Sequence, residues 1–296
     1  MKKFEKIDIY QRVTDKILSQ LENDIIPWQK PWRTSNSAPR NLISNKQYRG
    51  INNFLLNNTS FNSPFWATYA QIRELGGNVK RGEKSELVVY WKLLKILNKK
   101  TGEEETIPML KHFNVFNLEQ CENIELTKNV IDYNLELSLL DKTPINKNEM
   151  AENIIAQYKN SPKIEFRGHA AYYSPSRDLV VIPEKSEFNG DSGYYNTLFH
   201  ELSHSTGHTS RLNRGLEKNA AFGSHRYSKE ELIAEISASF LLNICGLSPQ
   251  LENSAAYVKS WLKVLKNDKK FFFEAASKAQ KSADYILGSY GAEELE

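Results

Sequence analysis

The stretch at residues 194–208, YYNTLFHELSHSTGH, constrains this chain more than any other. It holds three of the six histidines, and His200, Glu201 and His204 form the pattern HExxH. Residues four apart on an α-helix lie about 40° apart around its axis, so both imidazoles reach one point if the stretch is helical. Leu198, Phe199 and Leu202 supply the apolar side that would bury such a helix. The spacing suits a catalytic zinc site. Two neutral nitrogens bind the ion, one coordination position stays open, and the Glu201 carboxylate beside it acts as general base. The plainer alternative is a surface helix with two exposed histidines.

A catalytic zinc needs a third protein ligand. The metzincin pattern puts it at a histidine that here would be Ser210, and its later methionine turn has no counterpart, since Met1, Met109 and Met150 all precede the motif. His208 follows His204 by four positions, but Gly207 between them favours the end of the helix. The stretch YSKEELIAEISASFL offers Glu230, Glu231 and Glu235. On a helix Glu231 and Glu235 share a face with the small residues Ala238 and Ser239, which resembles the gluzincin arrangement. On that reading Glu231 binds the metal and Glu235 holds a ligand histidine from behind. Ser228 to Glu231 also fits S-x-x-E, a capping box, which would occupy Glu231 and leave Glu235 as the ligand. The ion expected is Zn2+, with another divalent metal such as Mn2+ as the alternative.

The rest of the chain carries a different signal. Residues 27–97 contain eleven Lys/Arg against three acids, a local net of +8 where all 296 residues total +3. The remainder is therefore net acidic, and the asymmetry points to a polyanion partner for the first half. Trp28, Lys30, Trp32, Arg33, Arg40, Tyr48 and Arg49 interleave aromatic rings with cations. Lys80, Arg81 and Lys84 sit in the Gly-rich loop GGNVKRGEKS. Aromatic faces suit stacked bases and cations suit phosphates, so single-stranded nucleic acid fits better than a duplex. Pro27, Pro31 and Pro39 break any recognition helix here. Nucleotide-binding glycine loops are absent. Tryptophans of a PWxxPW stretch can equally plug a core.

Composition bounds the rest. An apolar share of 40% supports buried cores, and the length suggests two domains. Two cysteines, Cys121 and Cys245, exclude a disulfide framework and a cysteine-rich zinc site. With no signal-like or membrane-spanning run, a cytoplasmic protein without membrane contact is expected. The fold class expected is α+β. Domain one covers residues 1–125, a polar, Asn-rich linker 126–147, and domain two 148–296. Helices are expected near 9–21, 51–56, 68–75, 148–160, over the histidine motif as far as Gly207, and near 229–243, with two more at the C-terminus. Residues 86–97 and 111–117 should form a strand hairpin.

Several stretches together resemble the ArdC-type antirestriction proteins of plasmids and other mobile elements. In the first half these are IPWQKPW, PRNLISNKQYRGIN, FWATYAQIRELGGNVKRGEKS and FNVFNLEQ. In the second they are HAAYYSPSRDLVVIP, LFHELSHSTGH, RLNR and FGSHRYSKEELIAEISASFL. The resemblance covers nearly the whole chain and departs at Ser205, where a bulky aromatic is expected. It implies an N-terminal single-stranded-DNA-binding domain, then a mainly helical zincin-like metallopeptidase domain with a small sheet. It also implies protection of incoming DNA from host restriction. On it, His200 and His204 carry over as ligands and Glu201 as base, while Glu231 against Glu235 stays open. Three functions compete. One is a DNA-bound metallopeptidase cutting a DNA-associated protein of unknown identity. The second is a non-catalytic DNA-binding protector with a structural or vestigial metal. The third is a DNA–protein crosslink peptidase.

Overall fold

The structure is a computed structural model that describes residues 8–29, 38–97, 102, 104–140, 146–216, 224–248 and 255–290. For 92–95, 105, 107, 108, 135–140, 255 and 256 it describes the backbone only. Lys30, Trp32 and Arg33 lie outside the described residues. In chain order the elements begin with α1 (Ile9–Glu22), β1 (Arg40–Asn41), α2 (Ile51–Asn57), β2 (Phe65–Thr68) and α3 (Tyr69–Glu74). Then come β3 (Asn78–Val79), β4 (Glu86–Leu97), β5 (Glu104–Asn117), β6 (Cys121–Glu122), α4 (Lys128–Leu140) and α5 (Lys147–Gln157). They end with β7 (Lys163–Phe166), β8 (Tyr172–Ser174), β9 (Leu179–Ile182), α6 (Asp191–Ser205), α7 (His225–Cys245), α8 (Ala255–Asn267) and α9 (Phe271–Ile286). The class is α+β, as the pattern of periods predicted.

Two compact units form. One comprises Met1–Ile9 and Ala38–Leu139, the other Tyr10–Ser37 and Leu140–Glu296. This differs from the expected division 1–125, 126–147 and 148–296 at two places, and packing explains both. The polar stretch expected as linker contains α4, whose Val130 and Tyr133 are buried against Leu42, Phe65, Ala67 and Ile72 of the first unit. Val130 and Tyr133, three apart, lie on the docked face of this helix. The opening helix α1 buries Val13, Ile17 and Leu21. Its Thr14 Oγ1 donates to Lys269 O at 3.0 Å, and Tyr10 meets Phe273 edge-on at 4.8 Å, so it packs in the second unit.

The first unit is a four-stranded sheet in the order β1-β2-β5-β4. β1 runs parallel to β2, and the rest are antiparallel. Strand alternation splits its core cleanly. Phe65 and Ala67 of β2 face the cluster sealed by α4, while Trp66 between them faces Leu56, Val88 and Val115. The hairpin β4–β5 keeps unbroken register from Glu86↔Val115 to Leu97↔Glu104, so it is much longer than the returning strand 111–117 expected from sequence. Helix α3 starts on a capping box between Thr68 and Gln71.

The second unit joins a three-stranded sheet, β7-β9-β8, to helices. The central strand β9, LVVI, is buried throughout, which is why it reads as a continuous apolar run. Arg211, its side chain 1% exposed, binds Asp178 and Ser205 O, tying the turn before β9 to the end of α6. Helix α7 is buried on nearly every side. Small hydroxyl residues let α6, α7 and α9 approach closely: Ser282 Oγ lies 2.9 Å from Thr206 Oγ1 and 3.1 Å from Ser237 Oγ.

Candidate metal centre

The histidine motif lies on α6 and the glutamates on α7, two helices packed side by side. Burial of Leu198, Phe199 and Leu202 turns His200 and His204 toward α7. Their Nε2 atoms are 3.1 Å apart, and the Glu231 carboxylate lies 3.6 Å from that of His200 and 3.7 Å from that of His204. Ligands at zinc-like bond lengths of about 2.0–2.1 Å in a tetrahedron are separated by about 3.3 Å. The donor set therefore fits one divalent ion, with one ligand atom from each of the three residues within 4.8 Å of the others.

The outer nitrogens strengthen this fit. His200 Nδ1 faces Glu235 Oε1 at 3.3 Å, and His204 Nδ1 faces Glu230 Oε1 at 3.3 Å. A carboxylate on each Nδ1 assigns the proton there and leaves both Nε2 lone pairs pointing at one spot. Two lone pairs at that separation repel unless a cation or a proton lies between them. The charges agree. Burial opposes the His200 imidazolium, yet Glu231 and Glu235 outweigh it and hold its pKa well above 6.5. His204 is raised too, with burial again overcome, here by Glu231 and Glu230. Burial would raise the Glu230 carboxyl, but Arg214 and His204 bring it down to about 2. Glu231 is likewise lowered, its burial offset by both histidines.

Glu201 is nearly buried on the same helix, and its charge adds to the raising of both imidazolium pKa values. Tyr227, one turn before Glu231, bears on the Glu231 carboxylate through its hydroxyl, which lies 3.0 Å from that of Tyr257. Burial, then hydrogen bonding and nearby carboxylates, push the Tyr227 phenol strongly upward, so it stays protonated.

Among the expected site residues, His200, His204 and Glu231 come together, and Glu235 sits behind His200. The capping-box reading of Ser228 and Glu231 does not hold. α7 begins four residues earlier than expected, at His225, with Ser224 as its N-cap, so Ser228 lies inside the helix and bonds Ser224 O. His208 is in the loop after α6, its Nδ1 2.7 Å from Ser210 Oγ. Ser205, where an aromatic was expected, is buried with its Oγ 3.0 Å from the Tyr158 hydroxyl. Sequence reasoning missed Glu230 behind His204, Arg214 beside it and Tyr257. For Arg214 the only signal was its place in RLNR.

The basic half sorts differently. Trp28 is 1% exposed, edge-on to Trp261 at 5.0 Å and tilted over Phe272 at 5.9 Å. This corrects the expectation that it stacks on bases, since no ring face is left for one. Tyr48 is half-buried against the Trp66 cluster. Arg40 and Arg49 flank it, half-buried, with Arg40 Nη1 3.3 Å from Asn45 Oδ1. Lys80, Arg81 and Lys84 are exposed in the turn between β3 and β4, with Lys80 Nζ on Glu119 O at 2.8 Å. Exposed aromatics that sequence reasoning assigned only to a strand lie on the long hairpin: Tyr90 (56%), Trp91 (45%) and Phe113 (47%). Tyr90 pairs with Lys111 and Val88 with Phe113, so Tyr90, Lys111 and Phe113 share one face.

Residues 7–116 match the N-terminal domain of anti-restriction factor ArdC, and residues 149–278 match a zincin-like metallopeptidase family. DNA primase TraC of Escherichia coli is 34% identical over 95% of this chain, which spans about a quarter of that relative (27%). The uncharacterized protein y4eC of Sinorhizobium fredii (strain NBRC 101917 / NGR234) is 32% identical over 94% of this chain and 91% of its own length. The metal-free crystal structure of the antirestriction protein ArdC from plasmid R388 superposes with a TM-score of 0.76 at 34% identity, covering 97% of this chain and 99% of that one. The Mn(II)-bound structure of the same protein gives 0.74 at 34% identity, covering 97% and 100%. With both of its halves matched in order and a His-His-Glu site at the expected place, this chain belongs to the ArdC-type antirestriction family, with an N-terminal ArdC domain and a C-terminal zincin-like metallopeptidase domain.

Proposed function

We propose that the chain binds single-stranded DNA through its first unit and hydrolyses a peptide bond of a DNA-associated protein at the metal centre of its second. On this reading it protects mobile DNA entering the cytoplasm from restriction. The observation that carries the catalytic half is the pair of converging Nε2 lone pairs, 3.1 Å apart and closed on one side by Glu231. His200, His204 and Glu231 would hold a divalent ion, Zn2+ or Mn2+, and the R388 relative binds Mn(II). A divalent ion with three protein ligands supplies Lewis acidity at its open position, whereas a purely structural zinc has four. Glu201 takes the proton of the attacking water and passes it to the leaving amine. Tyr227, whose hydroxyl bears on Glu231, and Tyr257, 3.0 Å from it, can stabilise a developing oxyanion. Removing metal with a chelator should stop hydrolysis, and adding Zn2+ or Mn2+ should restore it. Chelator-resistant cleavage would locate the activity elsewhere.

For DNA, the solvent-facing Tyr90, Phe113 and Lys111 form the stacking face on this reading, with Arg40, Arg49, Lys80, Arg81 and Lys84 as phosphate contacts. Stacking is worth about 1–3 kcal/mol per base. Tyr90→Ala with Phe113→Ala should therefore weaken single-strand binding at least tenfold in a fluorescence-anisotropy titration, without changing metal content. Affinity should also fall steadily with salt as phosphate contacts release counterions. Salt-independent binding, or a double variant that binds like wild type, would remove this face from the account.

A further inference from the structure

Arg214 lies outside the ligand set, yet beside it every nitrogen of its guanidinium is bonded. Its side chain is 7% exposed. Its guanidinium forks onto Glu230, Nε to Oε2 at 3.0 Å and Nη2 to Oε1 at 2.6 Å. The same group donates to Thr206 Oγ1 at 2.6 Å and to Ser203 O at 2.8 Å, at the C-terminal end of α6 where carbonyls lack helical partners. Glu230 in turn faces His204 Nδ1 at 3.3 Å. One planar cation thus joins the end of the helix that carries His204 to the carboxylate that orients it.

The backbone is built to deliver this arginine. Leu212 N donates to Thr206 O and Arg214 N to Gly207 O, both at 2.9 Å, which folds the chain straight back along the end of α6. Gly207 permits the return. A Cβ there would sit 2.7 Å from Leu216 Cδ1 and 3.0 Å from Arg214 Nη2. The two histidines are consequently held unequally. Glu235 supports His200, and a carboxylate locked by a bidentate arginine supports His204. A bidentate fork fixes direction as well as charge, which a lysine at the same place would not.

We propose that Arg214 is a positioning residue of the metal centre, fixing Glu230 so that the His204 Nε2 lone pair faces the ion, and that the pair sets metal affinity. The proposal rests on the reading of His200, His204 and Glu231 as ligands. Loss of such an outer partner costs about 10–100-fold in metal affinity.

The test is Zn2+ affinity of the full chain, measured by competition with a chromophoric chelator, with the Co2+ absorption spectrum as a second readout. Arg214→Ala and Glu230→Gln should each bind Zn2+ at least tenfold more weakly and alter the Co2+ bands. Because the two act in series, the double variant should be no weaker than the weaker single. Arg214→Lys should fall between wild type and Arg214→Ala. A purely structural clamp would lower the melting temperature of metal-free protein and leave affinity within threefold, which overturns the proposal, as do losses that multiply in the double variant. Should Arg214→Ala not fold, Glu230→Gln, which keeps the side chain's shape, decides alone. Wild type that binds no Zn2+ or Co2+ brings down the ligand reading and this proposal together. Wild type that binds while the variants are unaffected brings down only the clamp.

Discussion

Replacing Glu201 by glutamine should leave the metal in place and abolish hydrolysis. The change keeps the side chain's shape, and His200, His204 and Glu231 are untouched. Glutamine has no basic oxygen at neutral pH, so the step that needs a proton acceptor loses it. General-base contributions run to about 10²–10⁴-fold, and the variant's turnover should fall by at least the lower figure. Metal per chain, measured by emission spectrometry, should equal that of wild type. Retained cleavage would contradict the assignment of Glu201 as base. The same variant separates the enzyme from the passive protector: in DNA transfer into a restricting host, undiminished protection by Glu201→Gln would mean that binding alone protects.

The second large effect concerns Trp28, which the sequence places among the DNA contacts and the structure places in a core. Trp28→Ala removes a large ring from between Trp261 and Phe272. Such truncations cost about 3–5 kcal/mol, a large fraction of the roughly 5–15 kcal/mol that holds a typical unit folded. Trp28→Phe should be far milder, because the indole Nε1 is buried with no hydrogen-bond partner among the described residues. Denaturant unfolding measures both. If Trp28→Ala instead weakens single-strand binding while stability holds, the ring is a DNA contact after all.

The two cases show which parts of the molecule were legible from sequence. The convergence of His200 and His204 was, because their spacing is local to two turns of one helix. Glu231 and Glu235 were legible as a face, since i and i+4 coincide on any helix. Choosing between them needed the helix start. Ser228 fits the S-x-x-E pattern better than Ser224, which has Tyr227 at the third helical position, and only the observed N-cap at Ser224 frees Glu231. Glu230 was hidden because its partner, His204, lies 26 positions away, and Arg214 because its contacts are tertiary. Aromatics misled in both directions. Composition does not say which ring faces solvent, so Trp28 looked available while Tyr90 and Phe113 looked like ordinary strand residues. The helix α4 was masked by the polar, Asn-rich stretch around it, although Val130 and Tyr133 dock it in the first unit.

The pairing of the first helix with the last has a consequence for how the protein is made. Thr14 and Lys269 are bonded across 255 residues. At synthesis rates of roughly 5–20 residues per second, α1 emerges roughly 10–50 seconds before its docking site does. During that interval its apolar stripe has no partner of its own chain. The first unit can mature as it emerges, but the second can close only once residues 269–286, which dock α1, have been made.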